Sequence, residues 1–430
     1  MYYDMTLNSR VLPRPVFIAG IGKLVQPIRD FLSPEPLKII ENVWIEIADG
    51  KIKKIGEEGE LRPACAHSDV VFDAHGMLAT PGLIDSHTHP VFAGTREAEF
   101  IRRCRGETYQ QIAAAGGGIV SSIRGVRAAD EEELTRLVRK RFDRFIELGV
   151  TAIEAKSGYG LSLRDELKSL RVIREAAVDH PLEVSPTLLA AHVIPPEFKA
   201  DPGKYVDLVC REIIPATKEA GLAESVDLFL EEGAFNLDQA RRIFQSGKEA
   251  GFGLRIHADQ FTSQGGAQLA AEFNALSADH MDQTDEDGIR ALAEAGVVVV
   301  LLPGAVFFLG HEKFGDARRM IDVGCKIALS TDFNPGTSPT QSIPLMMTLG
   351  CIKMAMSPDE ALWSVTMGAA HALKRDDRIG SLREGYRADI CLWDAENAAL
   401  LAYNYGSMIP EAVFKNGSLV ALRGQRYHPE

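Results

Sequence analysis

The stretch DEEELTRLVRKRFDRFIELGVTAIE, residues 130–154, holds a complete helix-to-strand unit. Asp130 is placed to cap a helix N-terminus, with Glu133 three residues on, and Leu134, Leu137, Val138, Phe142, Phe145 and Ile146 form one apolar stripe. Gly149 closes the helix where a left-handed residue is needed, and Val150–Glu154 follows as a strand. Outward from this unit the alternation recurs from Leu83 to about Leu373. Candidate strands lie near 183–191, 226–230, 253–257, 275–280, 297–302 and 326–331, with helical stretches such as Leu237–Ala250 and Asp285–Ala295 between them. With a first strand ending near Asp85, eight βα units predict an α/β fold, a (β/α)8 TIM-like barrel. A doubly wound open sheet is the alternative.

The flanks have a different grammar. Asn42–Gly50 alternates and ends in Asp-Gly, a hairpin signal, with Lys51–Gly56 as the return strand. Ala388–Trp393 and Glu411–Gly417 repeat that pattern near the other end. Residues 1–80 plus 376–430 are therefore expected to build one small composite β-sandwich domain, around a barrel of residues 81–375.

Composition narrows the function classes. The 430 residues carry 47 Lys+Arg against 60 Asp+Glu, a net charge of −13, which argues against a nucleic-acid binder with a basic face. Six cysteines without CxxC spacing suit reduced thiols in a cytoplasmic protein. No basic-then-apolar leader opens the sequence. The uncharged run Ala295–Gly310 is too short for a membrane span, and reads as a buried strand followed by a loop.

Reacting groups of a parallel barrel project from the C-terminal strand ends. Strand one ends Asp85-Ser-His87-Thr-His89-Pro90, where alternation turns both histidines the same way. Strand five ends Ile256-His257-Ala-Asp-Gln260, strand six Ala278-Asp-His280, and strand eight Ser330-Thr-Asp332-Phe-Asn334-Pro-Gly336-Thr337. Three imidazoles and a carboxylate on one rim suit Zn²⁺, with Fe also accommodated. Metal coordination lowers the pKa of bound water to about 7 and so supplies hydroxide. Asp332 is the natural base and His280 the partner for the developing oxyanion. Each residue alone has a plainer reading: a packed histidine, or an aspartate opening a turn. Strand four ends Leu230-Glu-Glu-Gly233 with no lysine to bridge two ions, and Lys156 lies after strand two, so one metal is expected. His67, His75, His180, His311, His371 and His428 read as surface or packing residues.

The motif Pro81-Gly-Leu-Ile-Asp-Ser-His-Thr-His89, with His257, His280, Asp332 and Gly385-Tyr-Arg-Ala-Asp-Ile390, resembles the amidohydrolase superfamily. Within it, Gly106-Glu-Thr-Tyr109, Gly116-Gly-Gly-Ile119, Glu154-Ala-Lys-Ser-Gly-Tyr-Gly-Leu161, His257-Ala-Asp-Gln260 and Asp332-Phe-Asn-Pro-Gly-Thr-Ser-Pro339 resemble the imidazolonepropionases. That resemblance implies hydrolysis of the cyclic amide of 4-imidazolone-5-propanoate to N-formimidoyl-L-glutamate, in histidine degradation. It implies metal ligation by His87, His89, His257 and Asp332. It also implies a substrate site of Arg96, Tyr159, His192, Gln260, Asn334, Gly336 and Thr337, and is compatible with a homodimer. Some relatives carry Glu where Gln260 stands; an amide cannot act as a general base, so hydrogen bonding is its assignment. Arg96 has an alternative as a solvated loop arginine; His192, ending strand three, could donate to a ring oxygen or nitrogen, and a buried structural role is its alternative. Asn334, Gly336 and Thr337 could instead form the turn that aims Asp332. The Gly116–Gly118 triplet looks like an anion-binding loop, and Arg124 and Arg127 read as solvated. Two rival functions use the same ligands: a cytosine- or guanine-type deaminase, and a catalytically silent scaffold.

Overall fold

The computed structural model describes residues 2–3, 16–29, 35–61, 69–107, 111–112 and 116–427; Cys65, His67, Tyr109 and His428 lie outside them. The middle of the chain forms eight strands: β1 (Leu83–Asp85), β2 (Val150–Lys156), β3 (Glu183–Ala191), β4 (Ser225–Leu230), β5 (Gly253–Ala258), β6 (Ser277–His280), β7 (Val298–Leu301) and β8 (Ile327–Leu329). They pair in parallel and in chain order. Just past the two edge strands, a parallel bridge joins Thr88 to Phe333, and His89 N–H donates to the Phe333 carbonyl at 2.8 Å. The sheet thus curls into a nearly closed barrel rather than a doubly wound open sheet.

Local sequence explains the elements. The Asp130 carboxylate accepts the Glu133 N–H at 2.8 Å and starts the helix Glu131–Glu147, which buries Leu134, Val138, Phe142, Phe145 and Ile146. Gly149 then takes a φ of +86°. Strand β2 runs two residues past its expected end at Glu154, so Lys156 belongs to the strand and does not follow it. A lysine ammonium inside the barrel is tolerated because carboxylates surround it (Lys156 Nζ lies 2.7 Å from both Glu154 and Asp227). After β7 the expected loop is instead a short helix, Pro303–Leu309, with proline at its start and Gly310 at φ +75° ending it.

Both flanks enter a second sheet, ten-stranded among the described residues. The strands Leu37–Ala48 and Lys51–Glu57 form the expected hairpin, with Asp49 and Gly50 at φ of 50° and 75°. Leu78–Pro81 pairs antiparallel with Ile390–Trp393, which stitches one flank to the other. Trp393 is fully buried, and its indole N–H donates to Thr80 Oγ1 at 2.8 Å. The neighbouring Cys391 thiol reaches the Gly149 carbonyl at 3.2 Å, so this seam also touches the foot of β2. Trp393→Ala should cost about 3–5 kcal/mol through the cavity it leaves. Denaturant unfolding measures this, and an unchanged midpoint would refute the seam's importance.

Candidate metal centre and its cavity

His87 and His89, just beyond β1, His257 on β5 and Asp332 beyond β8 meet at the C-terminal mouth of the barrel, all of them buried. The Nε2 atoms of His87 and His89 are 3.3 Å apart, and those of His89 and His257 3.5 Å. Asp332 Oδ1 lies 3.6 Å from His87 Nε2 and 3.3 Å from His89 Nε2. Two of these rings have fixed tautomers. His87 Nδ1 faces Asp279 Oδ2 at 2.7 Å and His257 Nδ1 faces Asp227 Oδ1 at 3.1 Å, so both Nδ1 atoms donate and both Nε2 atoms carry lone pairs. Lone pairs at such separation repel unless a cation lies among them. A tetrahedral ion with bonds of ~2.0–2.1 Å sets its ligands about 3.3–3.4 Å apart, and the four distances above, 3.3–3.6 Å, lie at or slightly above that spacing. The residues therefore fit one divalent metal.

Electrostatics agree. Burial, then the nearby Lys156 ammonium and other imidazoles, pushes His87 well below the usual histidine range. Burial likewise lowers His89 strongly, and His280 to about 3. Neutral imidazole is the ligating form. Burial raises Asp332, against the pull of His280 and His257. His280 sits at φ +75° and Asp332 at +52°, left-handed backbone that non-glycine residues seldom adopt. The His280 Nδ1 is buried and, among the described residues, without a hydrogen-bond partner.

Above the donors opens a cavity of about 670 Å³ whose wall includes Arg96, Tyr159, His192, Gln260 and His280. Arg96 does not extend into solvent. Its Nε and Nη2 donate to Glu99 Oε2 at 3.0 and 2.7 Å, and its Nη1 lies where a Cβ on Gly336 would be. His192 Nδ1 donates to the Gly158 carbonyl at 3.0 Å; burial keeps the ring neutral, so Nε2 is an acceptor, not the donor anticipated. Asn334 is fully committed within its turn. Its amide donates to the Asp332 carbonyl at 2.6 Å and Thr337 Oγ1 at 2.8 Å, and its oxygen accepts the N–H groups of Gly336 and Thr337, both at 2.8 Å. Thr337 Oγ1 in turn donates to Asp332 Oδ2 at 3.3 Å. The turn aims Asp332, and the Asn334 amide has no donor left for a ligand.

Several site residues escape sequence reasoning. Glu166 accepts the backbone N–H groups of Gly158, Gly160 and Leu161 at 3.1, 2.8 and 2.8 Å, wiring the loop that carries Tyr159. Arg127, expected to be solvated, donates to the Gly160 and Leu161 carbonyls of that same loop. Glu231 accepts from Phe261 N and Thr262 N at 2.8 and 3.2 Å and so anchors the segment beside Gln260. His311, read as a surface or packing residue, is exposed and packs on Phe261 at the cavity wall. Gly118 N–H donates to the Glu99 carboxylate at 3.1 Å, so an internal carboxylate takes this N–H of the glycine triplet. The one available signal was charge inside apolar strands: Glu154, Lys156, Asp227 and Asp279 interrupt β2, β4 and β6.

Comparison with known proteins agrees with this geometry. The amidohydrolase family model matches residues 78–420. An imidazolonepropionase of a Geobacillus species (strain WCH70) is 46% identical over 96% of this chain and 99% of its own length. The imidazolonepropionase of Brevibacillus brevis is 43% identical over 96% and 100%. Among solved structures, the guanine deaminase of E. coli superposes with a TM-score of 0.72 at 14% identity, covering 95% of this chain and 99% of its own. At that identity the likeness is one of fold. The chain belongs to the amidohydrolase family and, within it, to the imidazolonepropionases.

Proposed function

We propose that this chain hydrolyses 4-imidazolone-5-propanoate to N-formimidoyl-L-glutamate, a step of histidine degradation in the cytoplasm. The observation that carries the reading is a metal-type donor cluster and a guanidinium, Arg96, facing one cavity. His87, His89, His257 and Asp332 would hold one divalent ion; zinc is our assignment, and iron suits the same donors. That ion supplies a Lewis acid and a water made nucleophilic near neutral pH.

The chain's own groups do the rest. Arg96, clamped by Glu99 and seated on Gly336, takes the propanoate tail in a charge-assisted pair. His192 Nε2 accepts a ring N–H, and Tyr159, its ring 5.4 Å from that of His192, forms the adjoining wall. Gln260 hydrogen-bonds without exchanging a proton. Asp332 Oδ2 takes the proton of the attacking water as oxygen adds to the ring carbonyl. Neutral His280 donates to the oxyanion from its ring N–H. The ring C–N bond then breaks, and Asp332 returns its proton to the leaving nitrogen. Asn334, Gly336 and Thr337 act by aiming Asp332 and seating Arg96.

The protein should open the imidazolone ring, read as loss of its ultraviolet absorbance, and should lose that activity on chelation and regain it with added Zn²⁺. Absence of turnover by metal-loaded protein would sink the proposal. Arg96→Ala should lower kcat/KM by about 2–4 kcal/mol. Gly336→Ala should act in the same direction by displacing the guanidinium; wild-type kcat/KM in both variants would remove Arg96 from the site. For Glu166→Gln, lost charge-assisted bonds should destabilise the Gly158–Leu161 loop by about 1–3 kcal/mol. Faster hydrogen exchange at those three amides is the measure.

A further inference from the structure

Beneath the metal donors, the barrel interior holds a cluster of charge that the proposed chemistry does not use. Glu154 and Lys156 point inward from β2, two residues apart, Asp227 from β4 and Asp279 from β6, and all four side chains have zero solvent exposure. Lys156 Nζ lies 2.7 Å from Glu154 Oε1, 2.7 Å from Asp227 Oδ2 and 3.7 Å from Asp279 Oδ2. The two aspartates are the ones that receive the Nδ1 protons of His257 and His87. One ammonium therefore touches both carboxylates that set the rotation and tautomer of two donor rings. Arg255 Nε lies 3.7 Å from Glu154 Oε1 and offsets that carboxylate, but without Lys156 no ion pair would join Asp227 to Asp279 among the described residues, and their mutual repulsion would drive them apart. Asp227, His257 and Asp279 also place ligand atoms within 4.8 Å of one another, a local demand for positive charge that Lys156 meets.

We propose that Lys156 is a positioning residue of the metal centre: by bridging Asp227 and Asp279 it holds His257 and His87 with Nε2 toward the ion. The inference rests on the metal assignment above. It extends the known logic that groups behind metal-bound histidines tune affinity to a lysine one step further back, shared by two rings. Although burial opposes its charge, Asp227, Glu154 and Asp279 raise the Lys156 pKa above the ordinary lysine value, so the bridge is cationic.

The test uses metal affinity of the full chain, measured by Zn²⁺ competition with a chromogenic chelator, and the visible absorption of the Co²⁺ form. Lys156→Met should weaken binding about 10–100-fold and shift the cobalt bands. Because that variant leaves three buried carboxylates with Arg255, 3.7 Å from Glu154, as their remaining cation and can fail to fold, Lys156→Met/Glu154→Gln is the second arm. It keeps the net charge of the native set, removing one positive and one negative group, yet still lacks the bridge. Weaker binding and altered cobalt bands in the folded double variant support the proposal. Native affinity and bands there overturn it, since Lys156 would then serve only to neutralise Glu154. A wild-type chain that binds no divalent ion would refute the metal assignment, a distinct outcome.

Discussion

Three imidazoles and a carboxylate gathered at the barrel mouth, with His89 Nε2 3.3–3.5 Å from His87, His257 and Asp332, are the constraint around which this molecule is arranged. Such a set is repulsive by itself, so something must hold each ring in place. For His87 and His257 it is a carboxylate behind the ring; for Asp332 it is the Thr337 hydroxyl and the turn built by Asn334. The carboxylates are in turn held by Lys156. Preorganisation of the donors is thus distributed over β2, β4 and β6 and is not confined to the strands that carry the ligands.

The same device governs the loops over the mouth. Buried or half-buried carboxylates gather backbone N–H groups: Glu166 at Gly158–Leu161, Glu231 at Phe261 and Thr262, and Glu99 at Gly118 while it also grips Arg96. A carboxylate accepting several N–H groups replaces what a regular strand or helix would supply, and it fixes irregular chain in one shape. Glycines appear where the loops pass closest to other atoms. Gly160 lies against the backbone of Asp165 and Gly336 against Arg96, leaving no room for a Cβ at either place.

Much of this is legible in the amino-acid sequence. Helix 131–147 follows from its cap and apolar stripe, and the barrel from eight such units in one sense of alternation. His87 and His89 share a face because strand geometry repeats every two residues. The errors have physical causes. Lys156 lies inside β2, two residues past the expected end of that strand, and the cross-barrel partner Asp227 is what accommodates its charge there. Arg127 looked solvated because its acceptors, the carbonyls of Gly160 and Leu161, lie over thirty positions away.

The amino-acid sequence by itself determined the alternation, the caps, the hairpin at Asp49-Gly50 and the identity of the metal-type side chains, since each depends on neighbours within a few residues. Tertiary structure alone decided which groups stand behind them. Asp279 reaches His87 across 192 positions, and Asp227 reaches both His257 and Lys156 from a strand that supplies no donor. It also decided the direction of hydrogen bonds, as when Gly158 claims the His192 Nδ1 proton and leaves that ring an acceptor. Such contacts arise only once the barrel nearly closes, because closure is what brings distant strand ends within bonding distance and removes the water that would otherwise satisfy them.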